Sequence, residues 1–294
     1  MKILWGLVCL CGAVSLHAAE FDWRQIHETA AEISLAEARQ QIQEGEPSLR
    51  DLYLVGLKYL DEYKAGKAAA VFSRMRERSP EMKEALWGGA EVLRRENQFK
   101  ESARILEELI SKHPGYAPAY ISLAYIRYLE MDFRECAGLA MDVIRMDQAE
   151  VDQTNYVRAH TLFAGAKGML AHYGGPIAKV MSGRQVMPYL KKAEEIDPDA
   201  PAVLMGLGSY YLLTPPLLGR DVEKAKRYLQ QAVKEDPLFP DAYVRLGQAY
   251  RMQGNEKKYR QYLRKALELD PNHVIARDVQ SGKCDFICVS GGND

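Results

Sequence analysis

Cys284 and Cys288, four residues apart near the C-terminal end, are the side chains whose spacing first suggests chemistry. In an oxidising compartment they would close a small disulfide loop. As metal ligands they would need a partner motif, and the sequence offers none. Their spacing also differs from the Cys-x-x-Cys of thiol–disulfide exchange. Cys136 stands where a small core residue is expected and reads as a buried thiol. His27, His113, His160, His172 and His273 are scattered, mostly near the ends of expected helices, and read as surface or boundary histidines. No Gly-x-x-x-x-Gly-Lys phosphate loop, His-Glu-x-x-His zinc site or Gly-x-Ser-x-Gly nucleophile turn occurs. Acidic pairs such as Glu194-Glu195 read as a solvated helix face. The residues therefore favour binding over catalysis, with no metal and no cofactor.

The elements that would position a binding surface follow from composition and periodicity. The chain has 294 residues, 47% apolar, and its charges nearly cancel at a formal −1. That balance supplies a core and excludes a global field for nucleic acid or an anionic membrane. At the N-terminus, Lys2, the apolar run from Ile3 to Val14 and His17-Ala18-Ala19 read as a signal peptide over residues 1–19, cleaved after Ala18 or Ala19. An uncleaved anchor is the other reading. A lipoprotein would use Cys9 or Cys11, but Val8 and Leu10 precede them where a small residue is expected. The single Lys and the His-Ala-Ala ending have a bacterial look, so a periplasmic or secreted location is expected.

Beyond residue 48 the sequence repeats itself. Tyr243, Leu246, Gly247, Tyr250, Ala266 and Pro271 form one unit, from which Tyr259 departs where Ala is usual. Leu52, Val55, Gly56, Tyr59, Ala68, Phe72 and Pro80 form another, and Leu86, Ala90, Leu93, Leu106, Leu109 and Pro114 a third. This pattern resembles the tetratricopeptide repeat (TPR) family. The resemblance implies an all-α, right-handed superhelical solenoid of antiparallel helix pairs. Repeats are expected at 49–82, 83–116, 117–150, 151–199 with an insertion, 201–239 with an insertion, and 240–273. An N-terminal helical cap over 20–48 would carry a Ser34–Glu37 capping box. Residues 274–294 form a C-terminal cap and tail, with a short closing helix from His273 to Val279.

The same resemblance implies that the first helix of each pair lines the concave groove. There it places Tyr53, Trp87, Ile121, Tyr125, Tyr128, Leu162 and Met205. This apolar, aromatic lining suits an amphipathic helix, an apolar peptide or a hydrophobic small molecule. A tight superhelix would instead bury these side chains against its own helices. The Lys and Asn set of the TPR subclass that holds C-terminal carboxylates is not present. The two insertions lengthen turns on one edge and would form a lip that includes Tyr173, Pro176, Arg184, Pro216 and Arg220. Pro188 is expected to shorten or kink the second helix of the fourth repeat. The expected function is an exported, non-catalytic adaptor for a protein or peptide partner, as part of an envelope complex. The alternative is a helical carrier for a small hydrophobic ligand.

Overall fold

The computed structural model describes residues 21–40 and 46–283, and within them the chain is helical with no strand. The expected signal peptide and the Cys284–Cys288 pair lie outside the described residues. Two helices come first, α1 (Trp23–Glu32) and α2 (Leu35–Gln40). Six antiparallel pairs follow. They are α3 (Leu49–Asp61) with α4 (Ala65–Arg78), and α5 (Lys83–Arg95) with α6 (Phe99–Lys112). Then come α7 (Ala117–Leu129) with α8 (Phe133–Arg145), and α9 (Gln153–Tyr173) with α10 (Pro176–Ile196). The last two are α11 (Pro201–Leu213) with α12 (Val222–Glu235), and α13 (Pro240–Met252) with α14 (Glu256–Leu269). A short α15 (Val274–Gln280) closes the array, burying Ala276 and Val279.

Local sequence explains where the helices begin and end. Ser48 accepts from the Asp51 backbone N–H while the Asp51 carboxylate accepts from Ser48, which starts α3 with a reciprocal cap. Ser34 and Glu37 do the same for α2. In four pairs the first helix ends in a left-handed residue: Tyr63, Asn97, Met131 or Gly254, with φ between 55° and 73°. After Tyr63, Asn97 and Gly254, the next N–H bonds the carbonyl of Tyr59, Leu93 or Tyr250, closing the last turn tightly.

The two helices of a pair are buried differently. Second helices show one apolar stripe, such as Ala225, Leu229 and Ala232 on α12. First helices lie between neighbours and are buried over most of their surface, as α7 and α13 are. Close approach is achieved with small residues. A Cβ on Gly88 of α5 would stand 2.2 Å from the Phe72 ring of α4.

The fourth pair departs from the expected pattern. The insertion is helical rather than an extended turn: α9 and α10 each run 21 residues, against 13 or 14 elsewhere in the array. The added turns project the hairpin about 10 Å beyond its neighbours. Pro188 neither ends nor shortens α10, which continues through it to Ile196. Lacking an N–H, Pro188 leaves the Arg184 carbonyl without its helical donor. Packing of Val186, Leu190 and Ala193 in a shared core keeps the two halves in register.

Gly88→Ala should lower stability by about 1–3 kcal/mol in urea unfolding, because the clash with Phe72 outweighs the gain in helix propensity. Adding Phe72→Leu should return part of that loss.

Candidate functional site

The first helices of the leading pairs are covered by the protein's own α1, which packs on α3 and reaches α5 and α9. Asp22 caps α1 by accepting from the Arg24 N–H, and the helix then turns Trp23, Ile26 and Ala30 inward. The Trp23 ring meets Tyr116 edge-on at 5.2 Å and His27 at 5.5 Å. His27 packs at 5.7 Å against Trp87, and its Nε2 lies 2.8 Å from the Tyr53 hydroxyl. Tyr53 in turn shares a hydrogen bond of 3.1 Å with Tyr116. On its other side, His27 Nδ1 faces the Asn155 amide at 3.4 Å and Asp152 at 3.9 Å. Asp152 and Asn155 are held there because Asp152 is the N-cap of α9. Lys58 of α3 donates to the Ala30 carbonyl of α1 at 2.8 Å, fixing the far end of the helix.

Beyond α1 the groove is lined by charge rather than by apolar side chains alone. Glu91 accepts two hydrogen bonds of 2.8 Å from Arg94, whose guanidinium stacks 4.8 Å from the Tyr125 ring. The Tyr125 hydroxyl reaches Asp241 of α13 at 3.5 Å, and Asp241 pairs with His273 at 3.3 Å. Asn97 donates to the Asn272 carbonyl at 3.0 Å. The sixth pair thus returns to the second and third, and the superhelix closes on itself. Burial disfavours a charged Glu91, yet the Arg94 and Arg95 charges and the Ser122 hydroxyl prevail and lower its pKa to about 2. Burial likewise opposes charge on Asp241 and His273, and their mutual attraction wins, lowering the first and raising the second. His27 goes the other way: burial lowers its pKa, and the Asp152 charge opposes this only in part.

The expected groove residues fall into two sets. Tyr53, Trp87 and Ile121 are buried, Tyr53 completely. Trp87 donates its ring N–H to Ser122 and to the Pro118 carbonyl, at 2.9 and 3.1 Å. Tyr125, Tyr128, Leu162 and Met205 are half-buried further along the face. The expected lip residues Tyr173, Pro176, Arg184, Pro216 and Arg220 are all exposed. They sit at the α9–α10 tip and in the loop between α11 and α12. Sequence reading placed His27 at the surface or at a helix boundary, where the structure largely buries its side chain, and did not single out Asp152 or Asn155. It also placed His160 and His273 at the surface or at helix boundaries, and both are buried, His273 as the N-cap of α15. The available signal was positional: Asp152 and His273 precede helical segments as N-caps. Cys136 is buried and its thiol pKa is pushed up to about 12 by that burial. Among the described residues no cluster of three His, Cys, Asp or Glu side chains could hold a metal ion.

Family models described as tetratricopeptide repeat match residues 84–116 and 219–274. The chain is a tetratricopeptide-repeat protein. Among solved structures it is similar to a chain of the APC/C hetero-tetramer Cut9-Hcn1, with a TM-score of 0.59 at 14% identity. That match covers 83% of this chain and 44% of the other, so this chain spans less than half the length of that neighbour. It is also similar to human IFIT1 in a dimer with PPP-AAAA, with a TM-score of 0.57, 18% identity and 86% and 58% of the two chains covered. A tetratricopeptide repeat protein from Parabacteroides merdae gives a TM-score of 0.54 at 11% identity, covering 87% of this chain and 96% of the other. At these identities the likeness concerns the fold. No curated protein matches the sequence.

Two outcomes follow from the geometry. Glu91→Leu leaves Arg94 charged and buried, so it should cost about 3–5 kcal/mol in denaturant unfolding, while Glu91→Leu with Arg94→Met should recover most of it. Because the folded-state pKa of His27 lies below its ordinary 6.5, its contribution to stability is present above that value and lost as pH falls through it. Acrylamide quenching of tryptophan fluorescence should therefore rise below pH 6.5 as α1 loosens, and His27→Gln should flatten that response.

Proposed function

We propose that the chain is a non-catalytic adaptor whose concave face holds an amphipathic helix from a protein partner. The observation that carries this reading is α1 itself. A helix from outside the repeat array lies across α3, α5 and the start of α9, seated on Tyr53, Trp87 and Tyr116. The face therefore has the shape and chemistry to accept a helix with an aromatic and an aliphatic residue three positions apart, as Trp23 and Ile26 are. The partner's helix would take the place of α1, and the affinity of the groove would be set by competition between the two.

Full burial of Trp23 and Ile26 contributes about 2–3 kcal/mol each, so α1 is held firmly enough to exclude weak competitors. It lies outside the repeat array, joined to it through α2, so its release need not unfold the repeats. The apolar N-terminal run supports a periplasmic or secreted setting, with the partner belonging to an envelope complex.

A labelled peptide of residues 21–33 tests this reading. The Trp23→Glu, Ile26→Glu variant should bind the peptide at least about tenfold more tightly than the unaltered chain does, because its own helix no longer fills the site. If the variant keeps its helical circular dichroism but binds no peptide, α1 is a structural cap and the groove reading fails.

A further inference from the structure

The α9–α10 tip presents its largest apolar side chains to solvent, and its own packing accounts for this. Where α9 and α10 meet near the tip, the contacts are made by small residues. A Cβ on Gly174 would stand 2.4 Å from the Ala178 Cβ and 2.5 Å from the Leu170 carbonyl. Further down, Gly183 faces Ala171. The hairpin closes on these residues, so the bulky ones are not used to hold it together. Ile177, Val180, Met181 and Arg184 recur at the spacing of one helix face, and that face points outward. Ile177 is 80% exposed and Val180 65%. In the next repeat, the short turn Pro216–Leu218 leaves Leu217 98% and Leu218 72% exposed. Both features connect the first helix of a pair to its second, in consecutive pairs, so they lie on one edge of the solenoid.

Within the hairpin the charge has one sign. From Gln153 to Ala193 the chain contains no Asp or Glu, whereas the whole protein is almost neutral. Among the described residues neither Lys179 nor Arg184 has an acidic partner within salt-bridge distance. Arg220 adds a third cation beside Leu217 and Leu218, its Nε donating to the Thr214 carbonyl at 2.9 Å. The even global balance therefore conceals a cationic, apolar hairpin, beside a loop in which Asp221 follows Arg220.

We infer that this edge docks on an anionic lipid surface. Convex tips with fully exposed aliphatic side chains need an occupant that yields to them. A bilayer does so, taking Ile177, Val180 and Leu217 into the boundary between headgroups and acyl chains. Lys179, Arg184 and Arg220 then lie at the level of the lipid phosphates. No helix among the described residues is long and apolar enough to cross a membrane, so the contact is peripheral. The concave face is a separate surface, and the inference stands whether or not the groove holds a partner helix.

Flotation of the intact chain with vesicles tests it without any protein partner. The chain should float with vesicles of phosphatidylcholine and phosphatidylglycerol, and remain unbound with phosphatidylcholine alone. Raised salt should release it. Lys179→Glu with Arg184→Glu should lower partitioning roughly thirtyfold or more. Ile177→Glu with Leu217→Glu should abolish it, while Leu217→Ser with Leu218→Ser should weaken it. The thermal unfolding midpoint should not change, since all five positions are solvent-facing. Equal binding to both vesicle types, binding to neither, or wild-type binding by the tip variants would overturn the inference. So would a dimer in vesicle-free sedimentation that the tip variants dissolve, since the edge would then belong to a second copy of the chain.

Discussion

The seating of Trp23 and His27 on Tyr53, Trp87 and Tyr116 is the contact on which the packing of this face depends. A superhelix of stacked helix pairs leaves its concave face unpartnered, and that face is lined by first helices with aromatic side chains. Left open, such a surface would be a large apolar patch in water. Here α1 covers it, and the polar groups on the buried rings find partners. Tyr53 bonds His27 and Tyr116, Trp87 bonds Ser122, and Asp152 and Asn155 hold the imidazole from the other side. Burying a histidine in this way requires it neutral, which couples the docking of α1 to pH.

The second half of the groove solves the same problem by a different route. The superhelix closes, so Arg94, Tyr125, Asp241 and His273 meet across its interior. Charges in such a position are tolerable only when each is matched, and the bidentate Glu91–Arg94 pair provides the firmest match. The arrangement specifies how tightly the coil closes. An apolar interior of the same volume would allow α13 to slide along α5 and α7, whereas directional contacts fix the register.

The repeat architecture was legible because it is written locally. Leu246, Gly247 and Tyr250 identify a first helix within five residues, and Pro271 marks where its pair ends. The occupant of the groove was not legible, since nothing in the spacing of Trp23, Ile26 and His27 says which distant surface they meet. Tyr53 and Trp87 are expected to line a groove; both are buried, and part of what covers them is His27, from a segment outside the array. Pro188 misleads for a related reason. Its intrinsic effect is to break a helix, yet the shared core formed with Val186, Leu190 and Ala193 overrides that local preference. The acid-free stretch from Gln153 to Ala193 was visible in the sequence, but a whole-chain charge count averages it away.

The long hairpin shows how a repeat protein can gain a surface without disturbing its core. In four pairs the first helix ends in one left-handed residue, a tight closure that leaves no room for outward display. The fourth pair replaces that closure with two further turns of helix. The fifth replaces it with a proline-stiffened loop ending at Gly219, itself left-handed at φ 103°. Extending α9 and α10 together preserves the stacking on α8 and α11 below. The extension itself is paired through Gly174, Ala178 and Gly183, so it stands upright without large side chains between its helices. Aliphatic residues that would ordinarily hold a hairpin together are thereby released to face outward, next to cations that carry no local counter-charge. A packing device inside the hairpin thus determines what the edge of the solenoid can touch.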